Sequence, residues 1–251
     1  MKDWEQALHT FLKPYLKKDE VAGALLCGSY ATGNQTPFSD IDVHIITNDT
    51  QKWRERGNRY INGFLIEYFI NPPCQLKREF KEDLKTNSLC TAVMFGFGKI
   101  LYDKTGQVKQ LQKQALTYYQ KSFAPMTKTA CLLALYHIWD LRDEFQSLSR
   151  SGYSTDLVYA DCITDLVNFY CQYHRLSQIP TSKLEKIFAH PQFAKRYHVP
   201  KLPPRRMMDL TLACLRCEKK DRETNLQKLY DYVVQSAGGF DINRFKLRSK
   251  L

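Results

Sequence analysis

The sequence of 251 residues lacks the long apolar runs that a membrane-spanning helix requires, because no stretch of about 18 consecutive apolar residues occurs. Its first residues also lack the apolar core of a signal peptide. It has no internal repeat or low-complexity segment, and its 43% hydrophobic and 25% charged residues are those of an ordinary globular chain. We therefore expect a folded, cytoplasmic protein with no membrane partner.

A complete zinc-binding motif is also missing. Among eight cysteines, Cys214 and Cys217 form one CxxC pair, but no second CxxC or CxxH pair accompanies it. Other cysteines, such as Cys27 and Cys131, lie inside apolar runs, where a reduced thiol behaves as a small hydrophobic side chain. We therefore expect reduced cysteines on the faces of strands and helices, which agrees with a reducing cytoplasm.

The sequence has an excess of positive charge. The 37 Lys and Arg residues outnumber the 26 Asp and Glu residues, giving a net charge of +11. Such a balance is compatible with nucleic acid, an anionic membrane surface or a polyphosphate as partner. The excess is concentrated only at the C-terminus, in Arg244, Lys246, Arg248 and Lys250. This basic tail is typical of a solvated terminal segment and is thin support for RNA binding.

The pattern of hydrophobic residues changes near residues 122–126. Before this point it predicts strands at 21–27, 41–47, 63–70 and 99–102, with helices at 4–17, 53–60, 75–86 and 107–121. After it the pattern predicts only helices, at 127–148, 155–175, 181–189, 205–219 and 221–236. We therefore predict an α+β protein. Its N-terminal domain, residues 1–123, has a mixed β-sheet flanked by helices, and its C-terminal domain, residues 124–251, is an all-helical bundle.

A glycine turn follows the first predicted strand, at Gly28 and Ser29. Glycine lets the backbone approach a bulky anion, and the N–H groups of the turn, with the Ser29 hydroxyl, can hold phosphate oxygens. Ser39, just before the second strand, is a further candidate for binding phosphate, or it builds a turn at the strand entry.

Three acidic residues form the second part of the candidate site. Asp40 and Asp42 alternate with aliphatic residues, so the strand period of two puts both carboxylates on one face. Paired carboxylates repel each other unless a cation lies between them, and Mg²⁺ suits such oxygen donors. Glu67 interrupts an otherwise apolar strand and needs a partner or a metal. Taken singly, each acid could be a solvated strand residue; together they predict a two-metal catalytic site.

This arrangement resembles the signature of the DNA polymerase β-type nucleotidyltransferase superfamily, over roughly residues 20–106. The motif consists of Gly28-Ser29, Asp40-Ile41-Asp42 and the later strand acid Glu67. The helical half is similar in architecture to bacterial antibiotic nucleotidyltransferases of the kanamycin and lincosamide type. The resemblance implies roles for the site residues: Gly28 and Ser29, aided by Ser39, hold the triphosphate; Asp40 and Asp42 bind both metals; and Glu67 binds the metal nearer the attacking hydroxyl.

The resemblance also implies the reaction. We expect an enzyme with two Mg²⁺ ions that moves a nucleoside monophosphate, AMP from ATP, onto a hydroxyl of a small molecule, such as an antibiotic, and releases pyrophosphate. A protein or RNA acceptor and a non-catalytic nucleotide-binding regulator are the alternatives. The general base is either Glu67 or an acid on the first long helix, where Asp140, Asp143 and Glu144 lie; their other interpretation is a solvated helix face. The oligomeric state stays open.

Overall fold

The structure is a computed structural model that describes residues 2–248. The chain divides into two compact units. The first contains the residues up to Ser122 together with Lys195–His198, and the second contains Phe123–Ala194 and the residues from Val199 onward. Every strand of residues 2–248 belongs to the first unit, and the second is helical. The predicted α+β class is confirmed.

A five-stranded mixed sheet forms the centre of the first unit. Its strands are β1 (Val21–Cys27), β2 (Ile41–Thr47), β3 (Glu55–Ile61), β4 (Phe64–Asn71) and β5 (Lys99–Asp103). They lie in the order β3-β4-β2-β1-β5, and β2 pairs with β4 in parallel while the other pairs are antiparallel. All seven residues of β1 are buried, because the sheet is covered on both faces there. A central strand of this kind is a continuous apolar run rather than an alternating one.

Helices cover both faces of this sheet. They are α1 (Asp3–Leu12), α2 (Gly28–Thr32), α3 (Pro73–Lys85), α4 (Cys90–Gly96) and α5 (Gln107–Tyr119). Helix α1 packs Leu8 and Phe11 into a cluster with Val43 and Ile45 on one face. It ends earlier than the predicted range 4–17, because Pro14 cannot continue a helix.

The segment predicted as a helix at 53–60 is instead strand β3, so that prediction was wrong. Asn62 and Gly63 have positive φ angles of 50° and 82°, the conformation of a two-residue type I′ hairpin turn. The turn pairs Ile61 with Phe64 and aligns β3 antiparallel to β4. Pairing with β4 therefore decides the conformation of this polar and exposed segment.

His44 lies in the apolar layer under the second face of the sheet. It is 4% exposed, and neither ring nitrogen has a hydrogen-bond partner among residues 2–248. Its ring stacks on Phe69 of β4 at 4.8 Å and meets the edge of Phe95 of α4 at the same distance. Burial lowers the pKa of His44 from 6.5 to about 3. The folded protein thus holds His44 neutral.

We expect His44→Leu to remove part of the acid sensitivity of folding. Because the pKa is lowered in the folded state, stability is full above pH 6.5 and is lost as the pH falls towards 3. Between pH 7 and pH 5 the loss from His44 alone is about 2 kcal/mol. Urea unfolding at both pH values should show a change smaller by this amount in the variant. The exposed His9 supplies the control, His9→Gln, which should keep the wild-type change.

The second unit is built from longer helices. They are α6 (Lys128–Arg150), α7 (Asp156–Tyr173), α8 (Leu184–Ala189), α9 (Pro191–Arg196, which ends in the first unit), α10 (Arg205–Arg216) and α11 (Arg222–Ser236). Tyr159 of α7 is buried and donates a hydrogen bond to the Cys214 carbonyl at 2.9 Å, so its ring belongs to the core of this unit. No helix within residues 2–248 is long and apolar enough to cross a membrane.

The basic tail is exposed where the structure describes it. Arg244, Lys246 and Arg248 are exposed, and Phe245 between them stacks on Tyr136 with ring centroids 4.5 Å apart. The aromatic contact therefore holds the segment against α6 while its charges face solvent. The fourth basic residue of the tail, Lys250, lies outside the described residues.

Candidate functional site

Three carboxylates converge where β2 begins. Asp40 immediately precedes β2, Asp42 lies on it, and Glu67 is the direct neighbour of Asp42 on the parallel strand β4. One carboxylate oxygen from each residue lies within 4.8 Å of the others. All three residues are half-buried. Among residues 2–248 this is the one group of three or more His, Cys, Asp or Glu side chains close enough to share a metal ion.

Gly28 lies directly against this cluster. It follows β1, whose last residue, Cys27, pairs with Asp42 across the sheet. Its φ angle is +65°, which L side chains rarely adopt. A Cβ at this position would overlap Oδ2 of Asp42 and lie 2.8 Å from its Cγ. Only glycine therefore allows the turn after β1 to approach the Asp42 carboxylate. Ser29 follows at the start of α2 and is half-buried.

The loop between α2 and β2 brings Asp40 to the site. The backbone N–H of Ser39 donates to the Thr36 carbonyl at 3.0 Å, and its hydroxyl oxygen accepts the Thr36 N–H at 2.9 Å. These bonds close a turn immediately before Asp40 and leave Phe38 at its tip, 98% exposed. The Ser39 hydroxyl thus has a structural role in the strand-entry turn, and its contact with phosphate stays a prediction.

An arginine on the neighbouring strand contacts the third carboxylate. Arg56 of β3 donates to Oε1 of Glu67 from Nε at 3.0 Å, and Nη2 donates to the same oxygen. Arg56 is absent from the site predicted from sequence, because the helix predicted at 53–60 separated it from the strand that carries Glu67. The dipeptide Asn62-Gly63 was the available signal, since it predicts a hairpin and hence this pairing.

The charge of the cluster affects nearby groups. Burial and then Asp40 raise the pKa of Tyr30, and burial, then Cys90 and Asp42, raise the pKa of Tyr197. Tyr197 belongs to the first unit although it is far from the strands in sequence. No local pattern could have predicted that it lies near Asp42.

These residues fit a divalent cation. Hard carboxylate oxygens are the ligands that Mg²⁺ takes, and it fills its remaining positions with water and substrate phosphates. The absence of a side chain at Gly28 leaves the Asp42 carboxylate in the place that a Cβ would fill, beside the other two acids. Asp40, Asp42 and Glu67 would hold the cation.

Comparison with known proteins identifies the segment that carries this site. Residues 9–97 match the family model described as "Nucleotidyltransferase domain". This segment is a nucleotidyltransferase domain. It contains the glycine turn at Gly28 and all three clustered carboxylates. The match supports a transferase enzyme of the nucleotidyltransferase type, a class whose substrate is a nucleoside triphosphate.

Two similar proteins carry related descriptions. "Putative protein adenylyltransferase MJ1305" from Methanocaldococcus jannaschii is 29% identical over 111 residues, which cover 40% of this chain and 75% of that protein. The structure of a "nucleotidyltransferase-like protein" from Exiguobacterium sibiricum aligns over 93% of this chain and 75% of its own, with 15% identity and a TM-score of 0.44.

The candidate acids of the helical half lie apart from this cluster in sequence and are all exposed. Asp140, Asp143 and Glu144 lie on helix α6, among the solvent-facing residues of the second unit. Each exposed position agrees with a solvated helix face. A role for any of them as general base stays a prediction.

Proposed function

We propose that the chain transfers a nucleoside monophosphate, AMP from ATP, to an acceptor hydroxyl in a reaction that depends on two Mg²⁺ ions and releases pyrophosphate. The observation that carries the proposal is the convergence of Asp40, Asp42 and Glu67 beside Gly28 within a nucleotidyltransferase domain. In this proposal, residues 1–123 are the catalytic domain and residues 124–251 bind the acceptor.

In this proposal some site residues bind the triphosphate and others act on the acceptor hydroxyl. Asp40 and Asp42 would hold the cations that bind the triphosphate, Glu67 would hold a cation for the acceptor hydroxyl, and the Ser29 hydroxyl would donate to a phosphate oxygen. Gly28 leaves room for the Asp42 carboxylate, because a Cβ at this position would overlap it. The Mg²⁺ ions, when bound, neutralise charge on the leaving pyrophosphate and lower the pKa of the acceptor hydroxyl.

Bond changes at the α-phosphorus follow an in-line displacement. The acceptor oxygen forms a bond to the α-phosphorus as the bond to the bridging oxygen between the α- and β-phosphates breaks, and pyrophosphate leaves with that electron pair. The proton of the acceptor hydroxyl passes to a carboxylate, for which Glu67 is the candidate in the first unit. Positioning by the carboxylates supplies much of the rate, because the reacting atoms must be aligned within about 3.5 Å.

Two classes of acceptor are compatible with this chemistry. A small hydroxylated molecule, an antibiotic included, is the expectation from the sequence. Residues 125–251 carry 20 basic and 13 acidic side chains, which disfavours a cationic aminoglycoside there. A protein hydroxyl is the second candidate, and the name of the Methanocaldococcus jannaschii relative favours it. The cytoplasm would supply ATP and either acceptor.

We expect a pyrophosphate-release screen to identify the donor and the acceptor class. The purified chain is incubated with Mg²⁺, each of the four nucleoside triphosphates, and panels of lincosamides, aminoglycosides, RNAs and proteins. ATP with one acceptor class should release pyrophosphate at a rate at least about tenfold above the no-acceptor rate, and labelling from α-³²P-ATP should appear on that acceptor.

The screen has two controls. EDTA should remove the signal, because the carboxylates act through divalent cations. The Asp42→Asn protein should give no acceptor-dependent release. Metal-dependent nucleotide binding without release for any acceptor would contradict the proposal and favour a non-catalytic regulator.

A further inference from the structure

Arg56 lies on the same face of the sheet as the carboxylate cluster. In the antiparallel pair of β3 and β4, Arg56 is opposite Phe69 and therefore diagonal to Glu67. Side chains at paired positions point to the same face, so Arg56, Phe69 and Glu67 share it with Asp42. The register of the sheet thus places the permanently charged guanidinium of Arg56 next to the Glu67 carboxylate.

Two contacts hold the guanidinium in this position. Both Nε and Nη2 donate to Oε1 of Glu67, and the guanidinium carbon lies 4.9 Å from the centre of the Phe69 ring. Phe69 is itself fixed, since its other contact is the stacked ring of His44. The contact with Phe69 does not depend on Glu67, so Arg56 can keep it when the ion pair breaks.

The charges of the cluster explain why an ion pair forms there. Three carboxylates within 4.8 Å repel one another, and Arg56 reduces their combined charge from −3 to −2. A divalent cation bound by the same carboxylates relieves the same repulsion. Arg56 and that cation therefore compete for one negative cluster, whichever Glu67 oxygen the cation takes.

Exposure decides which partner of the ion pair can move. The Glu67 side chain is 16% exposed, whereas that of Arg56 is 68% exposed. Water screens an exposed guanidinium and solvates it when it leaves. Glu67 is held on the central part of the sheet next to Asp42 and has less room to move.

We propose that Arg56 is a positioning residue that holds Glu67 in the metal-free enzyme and releases it when a divalent cation binds the carboxylate cluster. The inference rests on the proposed function, because it takes Asp40, Asp42 and Glu67 as the cation ligands. Because the cation must displace Arg56 from Glu67, the ion pair weakens cation binding. A stronger ion pair therefore raises the cation concentration needed to occupy the carboxylate cluster.

Binding of Mn²⁺ alone tests the competition without any turnover. Electron paramagnetic resonance of free Mn²⁺ gives the dissociation constant for the wild type and for Arg56→Gln. We expect the variant to bind Mn²⁺ about three- to tenfold more tightly, because a competing charge near the ligands is gone. Arg56→Lys keeps the charge and should bind within about twofold of the wild type.

Arg59 provides the matched control. It is an exposed arginine on the same strand, opposite Ile66 rather than beside Glu67. Arg59→Gln makes the same change in net charge and should bind Mn²⁺ within about twofold of the wild type. If Arg59→Gln tightens binding as much as Arg56→Gln, the effect is a general one of net charge and the inference is wrong.

A second measurement follows Arg56 itself. The ¹⁵N resonance of its Nε–H group, assigned by its absence from the Arg56→Gln spectrum, should shift as Mg²⁺ is added to the wild type and should not shift in Asp42→Asn. Unchanged or weaker Mn²⁺ binding by Arg56→Gln would overturn the inference, since it would make Arg56 a fixed support for Glu67.

Failure of the proposed site gives a different result. If Mn²⁺ binds the wild type and Asp42→Asn equally, the carboxylate cluster is not the cation site and the proposed function loses its basis. If Mn²⁺ binding depends on Asp42 but is indifferent to Arg56, only the present inference fails. Thermal unfolding of each variant without metal shows that the differences do not come from loss of folding.

Discussion

Replacing Asp42 with asparagine should lower the rate of nucleotidyl transfer by about 10³-fold or more. Asp42 lies between Cys27 and Glu67 in the sheet and faces the Gly28 turn, so its carboxylate is central to the cluster. Asparagine keeps the shape and removes the charge that holds the cations. A loss of this size corresponds to about 4 kcal/mol of transition-state stabilisation, and initial rates of pyrophosphate release measure it.

Stability separates this loss of catalysis from a loss of folding. Asp42→Asn removes one of three repelling carboxylates, so without metal its thermal midpoint should equal or exceed that of the wild type. Asp19 is fully exposed before β1 and serves as the control, since Asp19→Asn should keep wild-type rates. An Asp42→Asn protein that retains a tenth of wild-type activity with the identified acceptor would contradict the assigned role.

Four of the five strands could be predicted from the sequence, and for three of them the composition is decisive. The runs at Val21–Cys27, Ile41–Thr47 and Phe64–Asn71 are rich in aliphatic and β-branched residues and are bounded by glycine, proline or asparagine. All of β1 is buried, and so is every residue of β2 except Asp42. The helical character of the C-terminal region could also be predicted, since its apolar residues recur at the helical period of about 3.6.

Strand β3 could not be predicted from its composition. Its sequence, Glu55–Ile61, is polar and mostly exposed, so it has no apolar pattern of its own. It is a strand because the Asn62-Gly63 turn folds it onto β4. The local composition predicted a helix there, but the Asn62-Gly63 turn and the pairing with β4 make the segment a strand.

The three acids of the candidate site could be predicted from the sequence, whereas the residues around them could not. Asp42 and Glu67 each stood out as an acid in an apolar strand, and that signal is local. The parallel pairing that makes them neighbours is long-range and has no local signature. The same holds for Tyr197, which lies near Asp42 across about 150 residues of chain. Pairing and packing, rather than composition, determine what surrounds the carboxylates.

Replacing Gly28 with alanine should lower transfer by about 10²- to 10³-fold. The new methyl group would overlap Oδ2 of Asp42, so either the turn or the carboxylate must move by more than about 1 Å. A displacement of that size at a reacting site costs about 10²-fold in rate. The positive φ angle of +65° adds a strain of about 1–2 kcal/mol to the folded state. Initial rates and urea unfolding measure the two effects separately.

The same substitution at Gly33, at the end of α2, separates the effect of overlap with Asp42 from that of backbone strain. Its φ angle is +73°, so alanine there carries a similar backbone strain, but among the described residues no atom beyond its chain neighbours lies within 4 Å of the added Cβ. Gly33→Ala should therefore lose about 1–2 kcal/mol of stability from backbone strain and keep its transfer rate within about threefold. Equal losses of activity in the two variants would mean that backbone strain in the turn, rather than contact with Asp42, explains the need for glycine at position 28. A selective loss in Gly28→Ala, together with weaker Mn²⁺ binding, would tie the glycine of the turn directly to the cation site.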